Sequence, residues 1–358
     1  MRERLVHFAT NRIFDGQKAE FGFTPCDPPT RLLAGKIACK VVIDPAIEGL
    51  AGKPVVAKSE TPDEGLVDTL ASWLQLAEQE KGIALLFTHG FNYSFTEAAT
   101  RTAALCEWLE AGGAPPIVPL SFTWPSNGMG SIDAYLDDQK DAERSGAALA
   151  RLISAIAARK PKKKPVYLAH SMGARATRCG MQAIAPQLSF FAEPVFGQAF
   201  VIAGDDVSDV LDLPERGFPP GATAGALRPL AALARHVTIG VNRDDGVVWA
   251  ISGTINDGKR LGTGGPAHPG DLPANVKVVD YSMMIGGKDE KPVPPSETEM
   301  NWIGHQYHRN DTRVRKDLVA ALKADGPPEA VPGRRFGVVD PTVAIKEIAS
   351  RLYPKSAA

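Results

Sequence analysis

One segment, residues 165–175, constrains the fold more than any other part of the chain. Its apolar run Pro-Val-Tyr-Leu-Ala-His stops at Ser171, and helix-forming sequence follows. Small residues, Ala169 and Gly173, lie two positions before and after the serine. This pattern predicts a strand, a sharp turn and a helix, with Ser171 at the C-terminal edge of a sheet, where open α/β folds bind ligands. The segment 169–173 departs from the nucleophile-elbow pattern G-x-S-x-G only in its first residue, and alanine still avoids bulk there.

Apolar runs typical of strands alternate with helical patterns along the whole chain. The strands are predicted at 5–10, 35–43, 83–87, 116–125, 165–170, 198–203, 236–241 and 275–281. Helices are predicted at 65–80, 94–111, 143–160, 312–324 and 341–353. The alternation predicts an α/β fold with a mostly parallel, doubly wound sheet flanked by helices. We expect a single domain over 1–358, with N-terminal strands and a loop in 1–60, C-terminal helices in 312–358, and Pro/Gly-rich excursions at 212–234 and 257–274 that could form a lid.

Composition limits the partners and the compartment. The 358 residues are 44% hydrophobic with a formal net charge of -1, which gives no reason to expect nucleic acid or an anionic membrane as partner. Neither a run of about 18 apolar residues nor a secretory h-region occurs, so a cytoplasmic location is expected, although a chain with a trimmed signal peptide would look the same. Four scattered cysteines without C-x-x-C indicate free thiols. Nothing in the sequence indicates an oligomeric state.

A serine hydroxyl needs a base to remove its proton and an acid to orient that base. With a serine on a strand-turn-helix, the acid follows a later strand and the histidine comes last. Two carboxylates, Asp244 and Asp245, follow the strand 236–241, and Asp245 ranks first because it precedes Gly246 deeper in the turn. Asp205 and Asp206, just past the strand 198–203, are alternative acids. Each aspartate could instead cap a turn or a helix.

Three histidines follow the serine at a plausible interval. His305 comes after a glycine in a loop near the C-terminal helices, which lets the imidazole approach the serine turn. His308 is the reserve candidate, and His268 precedes the last predicted strand, where a base would be misplaced. The residues therefore predict Ser171, Asp245 and His305 as the catalytic set.

An oxyanion formed at the serine needs hydrogen-bond donors. We expect one from the backbone of Met172 and one from Phe91 in the loop after the strand 83–87, with the Asn92 side chain as a further contributor. We interpret His89 as a core histidine. Five aromatic residues near predicted strand ends could line an acyl pocket or pack in the core: Tyr93, Trp124, Trp249, Trp302 and Tyr307. No H-E-x-x-H, paired C-x-x-C, G-x-G-x-x-G or P-loop pattern occurs, so no metal or organic cofactor is implied.

Several of these motifs, taken together and in order, resemble one known family. They are Val6-His-Phe-Ala-Thr-Asn-Arg12, Thr88-His-Gly-Phe-Asn-Tyr-Ser94, Ser121-Phe-Thr-Trp-Pro-Ser-Asn127, Ala169-His-Ser-Met-Gly173, Val237-Thr-Ile to Asp245, and Gly304-His-Gln-Tyr307. The set, over roughly 5–310, resembles a family of bacterial α/β-hydrolases of unknown function, related to serine esterases and lipases. The resemblance implies an α/β-hydrolase fold and a Ser171–Asp245–His305 triad. It departs at Asp244, which adds a second carboxylate, and in the loops 212–234 and 257–274, so it implies no particular substrate.

The sequence therefore favours a serine hydrolase acting on a small-molecule carboxylic ester or a related acyl bond through an acyl-enzyme. An acyltransferase, amidase or lactonase would use the same three residues. The alternative from another class is a catalytically silent scaffold of the same fold that serves as a binding module.

Overall fold

The computed structural model of the protein describes residues 2–41, 50–57, 62–213, 223–256, 259–282 and 304–324. Within these residues, ten strands form one sheet in the order β12-β11-β10-β9-β7-β8-β1-β4-β5, with β6 also on β4. Across the sheet, the seven strands β12, β11, β10, β9, β7, β8 and β1 pair in parallel with their neighbours in this order. Strand β4 pairs antiparallel with β1, β5 and β6. The predicted α/β class with a mostly parallel sheet is confirmed.

The strands have the following bounds: β1 Arg2–Thr10, β2 Arg12–Asp15, β3 Glu20–Pro25, β4 Leu33–Val41, β5 Leu50–Ala51, β6 Val55–Val56, β7 Ile83–Thr88, β8 Ile117–Thr123, β9 Val166–His170, β10 Phe196–Ile202, β11 Ala234–Val241 and β12 Val276–Asp280. The central strands β7, β8 and β9 are buried along their whole length. This agrees with their continuous apolar sequence, because a strand covered on both faces has no polar side to alternate with.

The helices have the following bounds: α1 Pro62–Gln79, α2 Phe95–Ala111, α3 Ile132–Arg144, α4 Gly146–Ala158, α5 Gly173–Ile184, α6 Pro229–Leu233, α7 Gly253–Ile255, α8 Leu261–Gly264, α9 Tyr307–Asn310 and α10 Thr312–Ala324. Shorter helical turns lie at Ala185–Phe190, Ser208–Leu211, Val248–Ser252 and Pro269–Asp271.

The helices cover both faces of the sheet. On one face, α1, α4 and α5 pack into the larger core cluster, which includes Trp73, Leu149 and Met181. On the other face, α2 and α10 pack through Leu109 and Leu318. Because the strands between them run in parallel, the carboxyl ends of β7, β9, β10 and β11 meet at one edge of the sheet, where Ser171 and the candidate acids follow their strands.

Some elements differ from the expectation. The predicted helix 143–160 is α4, and a separate helix α3 precedes it; α3 is mostly polar and buries only Ala134, Tyr135, Asp138 and Ala142. The strand predicted at 35–43 alternates apolar and polar residues, a pattern typical of a half-exposed edge strand, but it is not at the edge of the sheet, since the short strands β5 and β6 pair with β4. Part of the predicted N-terminal loop forms the hairpin β2–β3. The helix predicted at 341–353 lies outside the described residues.

The four cysteines are free thiols, as predicted, with Cys179 partly exposed and the other three buried. Burial raises the pKa of Cys106 on α2 to about 12. A thiol held protonated is a weak nucleophile, so Cys106 belongs to the packing of the core.

Candidate active site

Ser171 occupies the sharp turn between β9 and α5. Its φ is +54°, in the left-handed region that residues with a side chain rarely adopt. The turn lies against the end of β7, since a Cβ added at Gly173 would come within 2.6 Å of the carbonyl oxygens of Thr88 and His89. Glycine at 173 therefore allows this close approach. The serine hydroxyl lies at the N-terminus of α5, where unpaired N–H groups and the helix dipole favour negative charge.

The His305 imidazole bridges the serine and an aspartate. Its Nδ1 lies 2.7 Å from Asp245 Oδ2, and its Nε2 lies 3.0 Å from Ser171 Oγ. Because a carboxylate oxygen only accepts, Nδ1 carries the proton and donates, which leaves Nε2 to accept the proton of the serine hydroxyl. All three residues are buried, with Asp245 completely inaccessible. Asp245 and Ser171, which lie 60 and 134 positions before His305 in the chain, thus form a hydrogen-bonded Ser–His–Asp arrangement with it.

Asp245 is fixed through both carboxylate oxygens. Oδ1 accepts from the backbone N–H groups of Val247 and Val248 at 3.1 and 3.0 Å, and Oδ2 faces His305. Its own N–H donates to the carbonyl of Asn242 at 3.1 Å. These contacts aim one oxygen at the imidazole and satisfy the other.

The alternative acids have other contacts. Asp205 accepts from Tyr135 Oη at 2.5 Å and also from Ser252 and Arg260. Burial acts to raise the pKa of Asp205, but the Arg260 and Arg175 guanidinium groups, with the hydrogen bonds from Ser252 and Tyr135, outweigh it, and the pKa is lowered. Asp206 accepts from Arg178 Nε at 2.8 Å. Among the candidate carboxylates in the described residues, Asp245 is hydrogen-bonded to His305. The backbone N–H of Asp244 donates to Asn242 Oδ1 at 3.1 Å.

The segment after β7 wraps closely around the serine. A Cβ added at Gly90 would lie 2.8 Å from Ser171 Cβ and 3.3 Å from its Oγ. Phe91 and Asn92 follow and line the same cavity as Ser171. Asn92 has a φ of +66°, and its N–H points to Asp138 Oδ2 at 3.4 Å. The assignment of Phe91, Met172 and Asn92 as oxyanion donors stays a prediction.

A buried polar framework, which no sequence motif indicates, holds this segment. Asp138 accepts from Ser126 Oγ and, at 2.8 Å, from Asn127 N. Ser126 Oγ in turn accepts from Tyr93 N at 3.0 Å. Arg12 donates to the Tyr93 carbonyl at 2.8 Å, and its complete burial lowers its pKa to about 9. Cation and carboxylate thus reach the backbone of the loop from two sides.

Two more histidines surround His305. His170 precedes the serine, and its ring centroid lies 4.8 Å from that of His305 and 4.1 Å from that of His308. Burial holds the pKa of both His170 and His308 well below the ordinary histidine value, with neighbouring histidines acting in the same direction. His308, the reserve base, is therefore a neutral buried ring. His268 is an exposed residue bonded to Asp212 at 2.8 Å, and its pKa is raised by that contact.

A cavity of about 380 Å³ opens onto Ser171 and His305. Its wall combines apolar side chains such as Phe91 and Val248 with the cations Arg101 and Arg309. Of the five aromatic candidates, four lie in the described residues, and among these four Tyr93 lines the cavity.

The other aromatic candidates lie elsewhere. Trp124 is completely buried and donates to the His89 carbonyl at 2.8 Å. Tyr307 donates to the Gly240 carbonyl and accepts from Ala203 N, so it joins strand ends rather than lining the cavity. Trp249 is 43% exposed, and Trp302 lies outside the described residues. Proximity to a strand end was a poor guide to which aromatic residues line the cavity, because aromatic residues near the same sheet edge also pack in the core.

Within the part of the chain that the structure describes, no group of three or more His, Cys, Asp and Glu residues is placed to hold a metal ion. Among the same residues, no helix is long and apolar enough to cross a membrane. The chemistry that the arrangement can perform with its own side chains is proton transfer from a serine to a histidine, which would make the serine nucleophilic.

Comparison with known proteins adds the family context. A family model described as an alpha/beta hydrolase of unknown function (DUF900) matches residues 68–289, which include Ser171 and Asp245. An uncharacterized protein of Nostoc sp. is 33% identical over 110 residues, covering 25% of this chain and 28% of that protein. The crystal structure of Aspergillus fumigatus lipase B aligns with a TM-score of 0.40 and 13% identity, covering 74% of this chain and 56% of the lipase chain. The chain thus covers less than two thirds of the length of either of these two proteins.

Proposed function

The chain belongs to the family of alpha/beta hydrolases of unknown function, and on that premise we propose that it is a serine hydrolase that cleaves a carboxylic ester or a related acyl bond. The observation that carries the proposal is the two-sided hydrogen bonding of His305, to Ser171 Oγ at 3.0 Å and to Asp245 Oδ2 at 2.7 Å. This order of contacts is the one that an acid, a base and a nucleophile need.

The reaction proceeds in two halves. Ser171 Oγ attacks the substrate carbonyl carbon while His305 Nε2 takes the hydroxyl proton, and the bond to the leaving group breaks as His305 returns that proton to it. Water then attacks the acyl-enzyme by the same proton transfers in reverse, which releases the acid and restores the serine. The backbone N–H groups of Met172 and Phe91 stabilise the oxyanion of each tetrahedral intermediate.

Asp245 holds the imidazole in the tautomer that leaves Nε2 free to accept. Its second oxygen is already satisfied by Val247 and Val248, so the carboxylate does not need to reorient when His305 becomes an imidazolium. Electrostatic stabilisation is most effective when the groups are fixed before the charge appears.

The cavity favours short acyl groups. Its volume of about 380 Å³ lies near the small end of ligand sites, and Arg101 and Arg309 interrupt its apolar wall. We therefore expect the best substrates to be small esters with a polar group near the carbonyl, rather than long-chain lipids.

The test is hydrolysis of p-nitrophenyl esters from acetate to palmitate by the wild type and by Ser171→Ala side by side. The proposal predicts turnover that peaks at short chains and disappears in the variant. Labelling with a fluorophosphonate probe identifies an activated serine independently of substrate choice. Labelling at Ser171 without ester turnover would restrict the proposal to a narrower acyl substrate.

Absence of both labelling and turnover would favour the silent scaffold. To separate that result from misfolding, circular dichroism should show the same thermal midpoint for the wild type and Ser171→Ala. A folded wild type that reacts with neither reagent would refute the proposed function.

A further inference from the structure

Two successive carbonyl groups of the segment that carries His305 accept hydrogen bonds from buried side chains. Asn242 Nδ2 donates to the Gly304 carbonyl at 2.8 Å. His170 Nε2 donates to the His305 carbonyl at 3.2 Å. The two donors follow or end different strands, β11 and β9, and approach the segment from the sheet edge.

The Asn242 side chain is fixed before it meets this segment. It is completely buried, and its Oδ1 accepts from Asp244 N at 3.1 Å, which leaves Nδ2 directed to Gly304. The backbone of Asn242 also contacts the acid turn, because its carbonyl accepts from Asp245 N at 3.1 Å. One residue therefore touches both the turn of the acid and the segment of the base.

The approach at Gly304 requires the absence of a side chain. Its φ is +75°, and an added Cβ would lie 2.5 Å from Asn242 Nδ2. A larger residue would push the segment away from the sheet edge. The glycine before the histidine thus serves the contact with Asn242 as well as the turn.

His170 makes the second contact from the position next to the nucleophile. A carbonyl oxygen only accepts, so His170 Nε2 carries a proton and the neutral ring is held in that tautomer. His170 is 2% exposed, and its ring is packed between those of His305 and His308. Any movement of this ring would shift the base relative to Ser171.

We propose that His170 and Asn242 are positioning residues, which clamp the backbone of Gly304 and His305 so that the imidazole stays within hydrogen-bond reach of both Ser171 and Asp245. The proposal rests on the proposed function, since it assigns the geometry of the same base. It is a separate claim, because the hydrogen bonds of both side chains end on backbone carbonyls and not on Ser171 Oγ or the imidazole nitrogens of His305.

The test compares variants that keep or remove the N–H donor. His170→Phe keeps a ring without the donor, whereas His170→Gln keeps an N–H group of similar reach. Asn242→Asp keeps an acceptor for Asp244 N and loses the donor to the Gly304 carbonyl. If Asn242→Asp does not fold, Asn242→Ser serves as the donor-free variant, because its side chain is too short to reach that carbonyl. His7→Gln is the matched control, a fully buried histidine in β1 away from the site.

Loss of a donor should lower kcat by about 10- to 100-fold with KM nearly unchanged, because misplacing a reacting group by about 1 Å can cost 100-fold. His170→Gln should recover most of the loss of His170→Phe. The rate of fluorophosphonate labelling at Ser171 should fall in parallel. In the proton NMR spectrum, the downfield resonance of the His305 Nδ1–H should weaken or shift in the donor-free variants and stay unchanged in His7→Gln.

The proposal is overturned if both donor-free variants are folded and retain wild-type kcat and an unchanged imidazole resonance. It is also overturned if their losses follow thermal stability and His7→Gln loses as much. Failure of the proposed function looks different, since then the wild type itself is neither labelled nor active. The resonance needs no substrate, so it tests the clamp in that case too.

Discussion

Acidification from pH 7 to pH 5 should sharply reduce the free energy of unfolding, because four of the seven histidines are buried as neutral rings. Burial, with Lys36 adding to it, lowers the pKa of His7 to about 4. Burial and the Arg12 guanidinium lower the pKa of His89 to about 3. Burial also lowers the pKa values of His170 and His308 well below the ordinary histidine value.

The direction and size follow from proton linkage. Each folded-state pKa lies below the unfolded value of about 6.5, so below pH 6.5 the unfolded chain binds more protons and stability is lost as the pH falls. At pH 5 a ring that remains neutral in the folded chain costs about 2 kcal/mol, so His7 and His89 together cost about 4 kcal/mol. The lowered pKa values of His170 and His308 add to the loss in the same direction. Two carboxyl groups oppose this loss. Burial raises the pKa of Asp141 to about 6, which returns about 1 kcal/mol, and burial also raises the pKa of Asp138. The net loss is therefore a large fraction of the stability of a typical domain, which is about 5–15 kcal/mol.

The assay is urea unfolding followed by circular dichroism at pH 7, 6 and 5 at constant ionic strength. His7→Gln should lose about 2 kcal/mol less than the wild type between pH 7 and 5, whatever its stability at pH 7. His268→Gln removes an exposed ring whose pKa is raised by Asp212, so it should not relieve the acid sensitivity. A free energy of unfolding that stays constant from pH 7 to 5 would show that the buried rings are not neutral in the folded state.

Two further predictions concern the site itself. Asp245→Asn should lower kcat for ester hydrolysis by about 10⁴-fold, since the amide selects the wrong imidazole tautomer; Asp244→Asn is its control, and a larger loss there would reassign the acid. Gly90→Ala should lower kcat by about 100-fold or more, because the new Cβ would come within 2.8 Å of Ser171 Cβ and displace the segment after β7, which includes the proposed oxyanion donor Phe91. Gly16→Ala, where an added Cβ meets nothing within 4 Å, should leave kcat unchanged; equal losses in both alanine variants would contradict the steric explanation.

The fold was predictable because its central strands are continuous apolar runs in the sequence. The apolar runs at β7, β9 and β10 are buried on both faces, and the helical stripes between them leave few topologies open. The helix α3 was missed because its buried face is short and includes Asp138, which no hydrophobic pattern marks. The hairpin β2–β3 was missed because its strands are short and mostly exposed.

The geometry around Ser171 was only partly predictable, for a different physical reason. Chain order and strand ends were sufficient to choose Ser171, Asp245 and His305, which the structure brings together. The contacts of His170 and Asn242 end on backbone carbonyls 135 and 62 residues away, and a carbonyl carries no sequence signal. Residues that position other residues are therefore found from structure, even where the residues they position can be read from sequence.

The alanine at position 169 shows how the crowding around the serine turn is distributed. The pattern G-x-S-x-G places a glycine there, yet Ala169 is completely buried and its methyl group packs within the larger core cluster. The close approaches occur at Gly90 and Gly173, where an added Cβ would meet Ser171 and the carbonyls after β7. Because those two positions bring the segment after β7 against Ser171, the first position of the pattern needs only to be small, and alanine there leaves the turn intact.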